Sequence, residues 1–240
     1  MADLRADRAG DGRSLWRRWV LANSVGFAVG GAISGAIARA MGQPHYGVAT
    51  STTDAVLIAT RTAGGALAVW GAAVGASQWL VIRRELRRVG WWVPATTLGW
   101  TSAGVVAGIF SGLIGGAVTG IGPDVGVWGF VVATAVGILA LGLLPVTFQW
   151  MMLRGQVHGA GRWLVGAAGA FLVAAVVSAG VVRSGLVSVI GWLRPEDFPS
   201  AKAWVAFGAV VGVLYGTLTG ATLGKPLGES SLAAPPESSS

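Results

Sequence analysis

The 240-residue chain has no cysteine, which excludes disulfides, iron–sulfur clusters, thiol catalysis and cysteine-ligated zinc. Charge is nearly as scarce. Asp, Glu, Lys and Arg make up 11% of the residues, against about 25% in soluble domains. With 53% hydrophobic residues and a mean hydropathy of +0.66, too little polar surface remains to cover a soluble core of this size. The 39 glycines have no triplet period, so the chain is not collagen-like, and most of them lie inside long apolar runs. The two histidines, His45 and His158, fall in loops on opposite sides of the expected membrane and cannot share a metal. No glycine-rich phosphate loop ending in Lys-Ser/Thr occurs, nor H-E-x-x-H, nor G-x-S-x-G. These absences leave no catalytic residue, no metal site and no cofactor site, and predict that the protein is not an enzyme.

What is present predicts an all-α integral membrane protein. A hydrocarbon layer of about 30 Å takes roughly 20 helical residues. Six stretches suffice, near Trp19–Arg39, Ala63–Ile82, Trp92–Val118, Gly126–Leu153, Trp163–Val182 and Ala203–Leu223. Two shorter apolar runs, 53–62 and 184–193, read as interfacial or re-entrant pieces, the first also as an extension of the second span. Residues 1–14 and 229–240 are polar tails expected to be disordered, flanking a transmembrane domain over 15–228.

The net charge of +7 is a matter of topology. One side of the six spans carries Arg5, Arg8, Arg13, Arg17, Arg18, Arg83, Arg84, Arg87, Arg88, Arg154, Arg162 and Lys225. The other carries Arg39, Arg61, Arg183, Arg194 and Lys202. This asymmetry predicts a multi-pass protein of the cell membrane with both termini in the cytoplasm. Arg17, Arg18, Arg83, Arg84, Arg87, Arg88 and Arg154 then face anionic headgroups of the bilayer. No nucleic-acid-binding module accompanies the charge, so nucleic acid is not an expected partner. Tryptophans 16, 19, 79, 91, 92, 150 and 163 fall at the inner boundary as an aromatic belt.

The sequence repeats itself three times. Trp19-Val20-Leu21-Ala22 aligns with Trp92-Val93-Pro94-Ala95 and Trp163-Leu164-Val165-Gly166. Seven residues on stand Gly26, Gly99 and Ala170, then the aromatics Phe27, Trp100 and Phe171. Gln78-Trp79-Leu80-Val81-Ile82-Arg83 recurs 71 residues later as Gln149-Trp150-Met151-Met152-Leu153-Arg154. Another 71 residues reach Lys225, where the Gln-Trp pair is gone and the cation stays. Each copy (about 16–90, 91–161 and 162–228) is a two-helix hairpin. Copies of one orientation are related by an axis along the membrane normal, which predicts three hairpins around a pseudo-three-fold axis. The equivalence also argues against a cleaved twin-arginine signal at Arg17-Arg18, because the run after it is the first of three matching helices. The repeated elements resemble a group of uncharacterised bacterial multi-pass membrane proteins with recurring Gln-Trp-Leu-Val-Leu-Arg helix ends. The resemblance covers residues 16–225 and implies a fold, and no activity.

Glycines recur at every fourth residue as Gly104, Gly108, Gly112, Gly116 and again as Gly208, Gly212, Gly216, Gly220, with shorter pairs Gly26/Gly30 and Gly31/Gly35. Residues four apart share a helix face, and losing Cβ lets another backbone approach closely. The partner is either another helix of the same chain or a second protein, whether a further copy or a different membrane protein. No ionisable residue falls near mid-bilayer, which disfavours a proton-driven antiporter. Among uncharged polar residues, Asn23, Gln78, Thr96 and Gln149 lie at similar depth. They either bond to one another and to helix backbones or line an inner vestibule. Two functions are therefore expected. The first is a non-enzymatic protein acting through packing and assembly, as scaffold, accessory subunit or homo-oligomer. The alternative is a channel or carrier for a small neutral or weakly polar solute.

Overall fold

The computed structural model describes residues 2–40, 49–86, 89–118, 120, 122–123, 126–157, 160–183 and 201–230. Among the described residues the fold is all-helical: α1 (Ala2–Ala40), α2 (Thr52–Ile82), α3 (Trp92–Val118), α4 (Gly126–Leu153), α5 (Ala160–Arg183) and α6 (Ala201–Ser230). Four stretches, Arg13–Ile37, Thr52–Ile82, Trp92–Ala117 and Gly126–Leu153, are long and apolar enough to cross a membrane. In α5 and α6 the apolar stretches Ala160–Ala174 and Val205–Ala221 are shorter. Such glycine- and valine-rich segments are poor helix formers in water. In hydrocarbon they have no alternative, because only a helix satisfies every backbone group within the segment.

Two expectations change here, and one of two readings is decided: residues 53–62 extend the second span as the first turns of α2. Ser51 caps that helix, accepting from the Asp54 amide at 3.2 Å and donating to the Asp54 carboxylate at 2.9 Å. Residues 2–14, expected to be a disordered tail, continue α1 without a break. The α6 helix runs to Ser230, two residues past the expected domain edge. The run 184–193, Arg87, Arg88 and residues 231–240 lie outside the described residues.

Each helix packs on its neighbour in sequence, and α6 returns along α1, so the six close into a ring. The glycines show how. A Cβ added at Gly104, Gly108 or Gly112 would meet the α2 backbone at Ala63, Thr60 or Val56 in turn. Position numbers fall along α2 as they rise along α3, so these helices are antiparallel. In the same way Gly208, Gly212 and Gly216 meet Phe27, Asn23 and Val20 of α1, and Gly220 meets Trp16 and Trp19. Gly26 and Gly30 take Val74 and Trp70 of α2, and Gly99 takes Pro145 of α4. Gly116 has only ordinary contact with Thr52, and Gly31 and Gly35 are buried. Both ladders are therefore used within the chain.

The outside of the ring is apolar. Along α1, exposed Leu21, Val25, Val29 and Ile33 recur every fourth residue. On α4 exposed side chains include Val127, Trp128, Phe130, Val131 and Val132. In water a surface of that kind would associate, whereas hydrocarbon is its natural neighbour. Arg17, Arg18, Arg83, Arg84, Arg154 and Arg162 gather at one end of the ring, called the basic end below. Arg18 pairs with Glu85 across α1 and the α2–α3 loop at 3.8 Å. Arg83 and Arg154 lie over the Trp79 and Trp150 rings at 4.8 and 5.5 Å.

Candidate functional site

The interior of the ring has three layers. Nearest the basic end is a belt of polar side chains in which Asn23 of α1, Gln78 of α2, Thr96 of α3 and Gln149 of α4 are all buried, none more than 2% exposed. The chain of hydrogen bonds has a fixed direction. The Trp19 carbonyl can only accept, so Asn23 must present Nδ2 to it, at 2.8 Å. Asn23 Oδ1 then accepts from Gln78 Nε2 at 2.8 Å. That leaves Gln78 Oε1 to accept from the Trp92 indole at 3.2 Å and from Gln149 Nε2 at 2.9 Å. Gln149 Nε2 also reaches Thr96 Oγ1 at 3.3 Å. The amide orientations follow from groups that can play one role only. One acceptor is left at the end of the chain, Gln149 Oε1, buried without a donor.

Three tryptophans wall the belt. Trp19 lies in α1, Trp92 opens α3 and Trp163 stands in the first turn of α5, and none is more than 1% exposed. Of the tryptophans placed at the inner boundary these three point into the ring, whereas Trp91, 72% exposed, faces outward. The Trp92 indole donates one helix back, to Gln78, and the Trp19 indole donates to Thr219 of α6 at 2.9 Å. Trp163 follows Gln149 by the same 14 residues that separate Trp92 from Gln78, yet its indole N–H has no partner. The Gln149 amide is turned away, toward Gln78 and Thr96.

Above the belt lies a layer of aromatics. Phe27, Trp100 and Phe171, each eight residues beyond one of those tryptophans, meet edge to face with centroids 5.7 and 5.6 Å apart. Trp70 stacks on Trp100 at 6.4 Å, and Tyr215 packs against Phe27 at 5.7 Å. Between this layer and the belt is a void of about 10 Å³, bordered by Gln78, Gln149 and Tyr215 among apolar side chains.

Beyond the aromatics, in the half away from the basic end, the interior opens into a cavity of about 470 Å³. All six helices line it, among them Ser34, Leu67, Trp70, Ala107, Leu141, Phe207 and Val211. Its wall is almost entirely apolar. The Ser34 hydroxyl is already taken, donating to the Ala66 carbonyl at 2.7 Å. The volume falls in the range of small-molecule sites, about 300–1,000 Å³.

The four residues singled out as a polar lining are thus brought together, but as a mutually bonded lock rather than an open vestibule. Gly26, Gly30, Gly104, Gly108, Gly112, Gly208, Gly212, Gly216 and Gly220 stand close against a neighbouring helix, while Gly31 and Gly35 are buried. The basic residues share one end, far from the cavity. Sequence reasoning did not pick out the cavity-facing Trp70 and Phe207, nor Thr219 and Tyr215. The aromatics at Phe27, Trp100 and Phe171 were visible as equivalent positions, without any sign that they point inward. Comparison with protein-family models, with curated proteins and with solved structures finds no match to this chain.

Proposed function

We propose that this is a multi-pass protein of the cell membrane, both termini cytoplasmic, that takes a small neutral molecule into the interior of its helix ring as a carrier does. The observation that carries the reading is the cavity of about 470 Å³, lined by all six helices and closed toward the basic end by the aromatic layer and the polar lock. A carrier holds its substrate near the middle of the membrane and opens to one side at a time, and a pocket sealed at one end is one half of that cycle. The apolar wall selects an apolar or weakly polar occupant, because an ion or a sugar would lose its hydration without replacement. Assembly with other proteins finds less support. The glycine ladders that would have served it are engaged inside the chain.

The pseudo-three-fold arrangement belongs to the same proposal. Its support lies in the equivalent tryptophans buried together, the equivalent aromatics eight residues on in mutual contact, and two indoles donating one helix back. Orientation rests on the arginines at the basic end.

A photoreactive alkane bearing a diazirine tests the reading in lipid vesicles. Labelling of Leu67 and Phe207, inside the ring, should saturate with probe concentration and fall with excess unlabelled alkane. Labelling of Val131, on the outside, should rise in proportion to probe. Strictly proportional labelling at all three positions would remove the case for an internal site.

A further inference from the structure

The lock ends in an acceptor that nothing fills. Gln149, whose Oε1 has no donor, borders the void of about 10 Å³ beneath the aromatics, which is room for a single polar atom. The void and the large cavity share Phe27, Trp100, Leu141 and Phe171 as walls, so only those side chains separate them. A buried acceptor without a donor is destabilising. Gln149 has two routes to relief. One is the Trp163 indole, 14 residues on as Trp92 is from Gln78 and likewise without a partner. The other is a molecule in the void.

We propose that the occupant of the cavity is an apolar molecule carrying one hydroxyl, a neutral alcohol whose O–H reaches Gln149 Oε1 when the Phe27, Trp100 and Phe171 rings that close the layer move apart. This rests on the cavity being a ligand site and adds to it the class of ligand. The arrangement supplies one free acceptor, a space for one oxygen beside it, and an apolar wall for the remainder. A carboxylate is excluded, because it would bring a second acceptor and an unpaired charge to a carbonyl oxygen. An ammonium is excluded, because neither the void nor the apolar cavity offers its charge a counter-charge. A plain hydrocarbon fits the cavity and leaves Gln149 unsatisfied.

The test is competition against the diazirine alkane in vesicles containing the full-length protein. The competitors are a medium-chain aliphatic alcohol and the alkane of the same carbon skeleton, each corrected for its measured partition into lipid. The alcohol should displace the label from Leu67 and Phe207 at a concentration at least about tenfold lower than the alkane, the factor expected for one hydrogen bond to a buried acceptor. In Gln149→Leu protein the two should compete equally while saturable labelling persists. Equal competition in the wild-type protein overturns the hydroxyl assignment and leaves the cavity reading standing. Failure of both competitors, with no saturable labelling, overturns the cavity reading itself. The wild-type comparison needs no variant, so poor folding of Gln149→Leu would not blunt it.

Discussion

Gly108→Ala and Gly212→Ala are expected to lower the midpoint of thermal unfolding by about 3–10 °C each, although each adds one methyl group to a membrane helix. A Cβ at position 108 would stand 2.5 Å from the Thr60 Cα, and one at 212 would stand 2.6 Å from the Asn23 carbonyl oxygen. Carbon atoms prefer about 3.5–4.0 Å, and the atoms in the way are backbone, which cannot rotate aside. The helices must part by about an ångström, and the neighbouring glycine contacts loosen with them. Overpacking of this kind costs about 1–3 kcal/mol, and at this chain length each kcal/mol shifts the midpoint by about 2–4 °C. Gly65→Ala and Gly169→Ala are the internal controls. Nothing lies within 4 Å of a Cβ at either position, so alanine should be neutral or slightly stabilising through its helix propensity. Intrinsic tryptophan fluorescence in detergent reads all four. Equal midpoints across the set would mean that the ladders are not close contacts.

The second large effect concerns the polar lock. Gln78→Leu should destabilise by about 2–4 kcal/mol, and Gln149→Leu by less than about 1 kcal/mol, though both remove a buried glutamine in the last turns of a helix. Gln78 donates to Asn23 and accepts from both Trp92 and Gln149. Leucine there strands Asn23 Oδ1 and the Trp92 indole in the interior and leaves Gln149 Nε2 only Thr96, losses that are expensive even allowing for the modest worth of single hydrogen bonds between membrane helices. Gln149 contributes one shared donor and carries an acceptor that is already unsatisfied, so its removal gives back part of what it takes. Denaturant titration of the two variants under one condition decides the matter. A ranking with Gln149→Leu the worse of the two would contradict the directed chain of bonds.

The extent to which these features can be read from sequence differs by kind. The expected spans Trp92–Val118 and Gly126–Leu153 coincide with α3 and α4, because apolar runs bounded by charge or by turn glycines leave the chain little choice. The second span was expected to begin at Ala63, whereas the helix starts at Thr52. Hydropathy reads Asp54, Thr60 and Arg61 as an interruption. Folding instead rewards the Ser51 cap and the close approach of Gly108 and Gly112 to residues 56–60, a contact with a helix some fifty residues away that no local window contains. The glycine ladders were plain at the spacing of four, but spacing fixes a face and not a neighbour. Whether α3 would pack on α2 or on another molecule is decided in three dimensions. The tryptophans show the same limit. A tryptophan at a membrane boundary suits an outward belt and an inward indole donor equally well. Inside, the Trp92 indole meets an acceptor one helix back, at Gln78, and the Trp19 indole meets Thr219, while Trp163 is buried without one.

The cavity was the least legible feature, since it is made of what small side chains on six helices leave unfilled. Ala107 lines it, while Ala103, one turn away on α3, is fully buried. Ala107→Phe should therefore fold with nearly the wild-type midpoint while filling the space. The most direct measurement of the proposed function is saturable photolabelling of Leu67 and Phe207 by the diazirine alkane in that variant. Saturable labelling should disappear there, with proportional labelling of Val131 on the outside unchanged. Undiminished saturable labelling in a folded Ala107→Phe protein would contradict an internal ligand site.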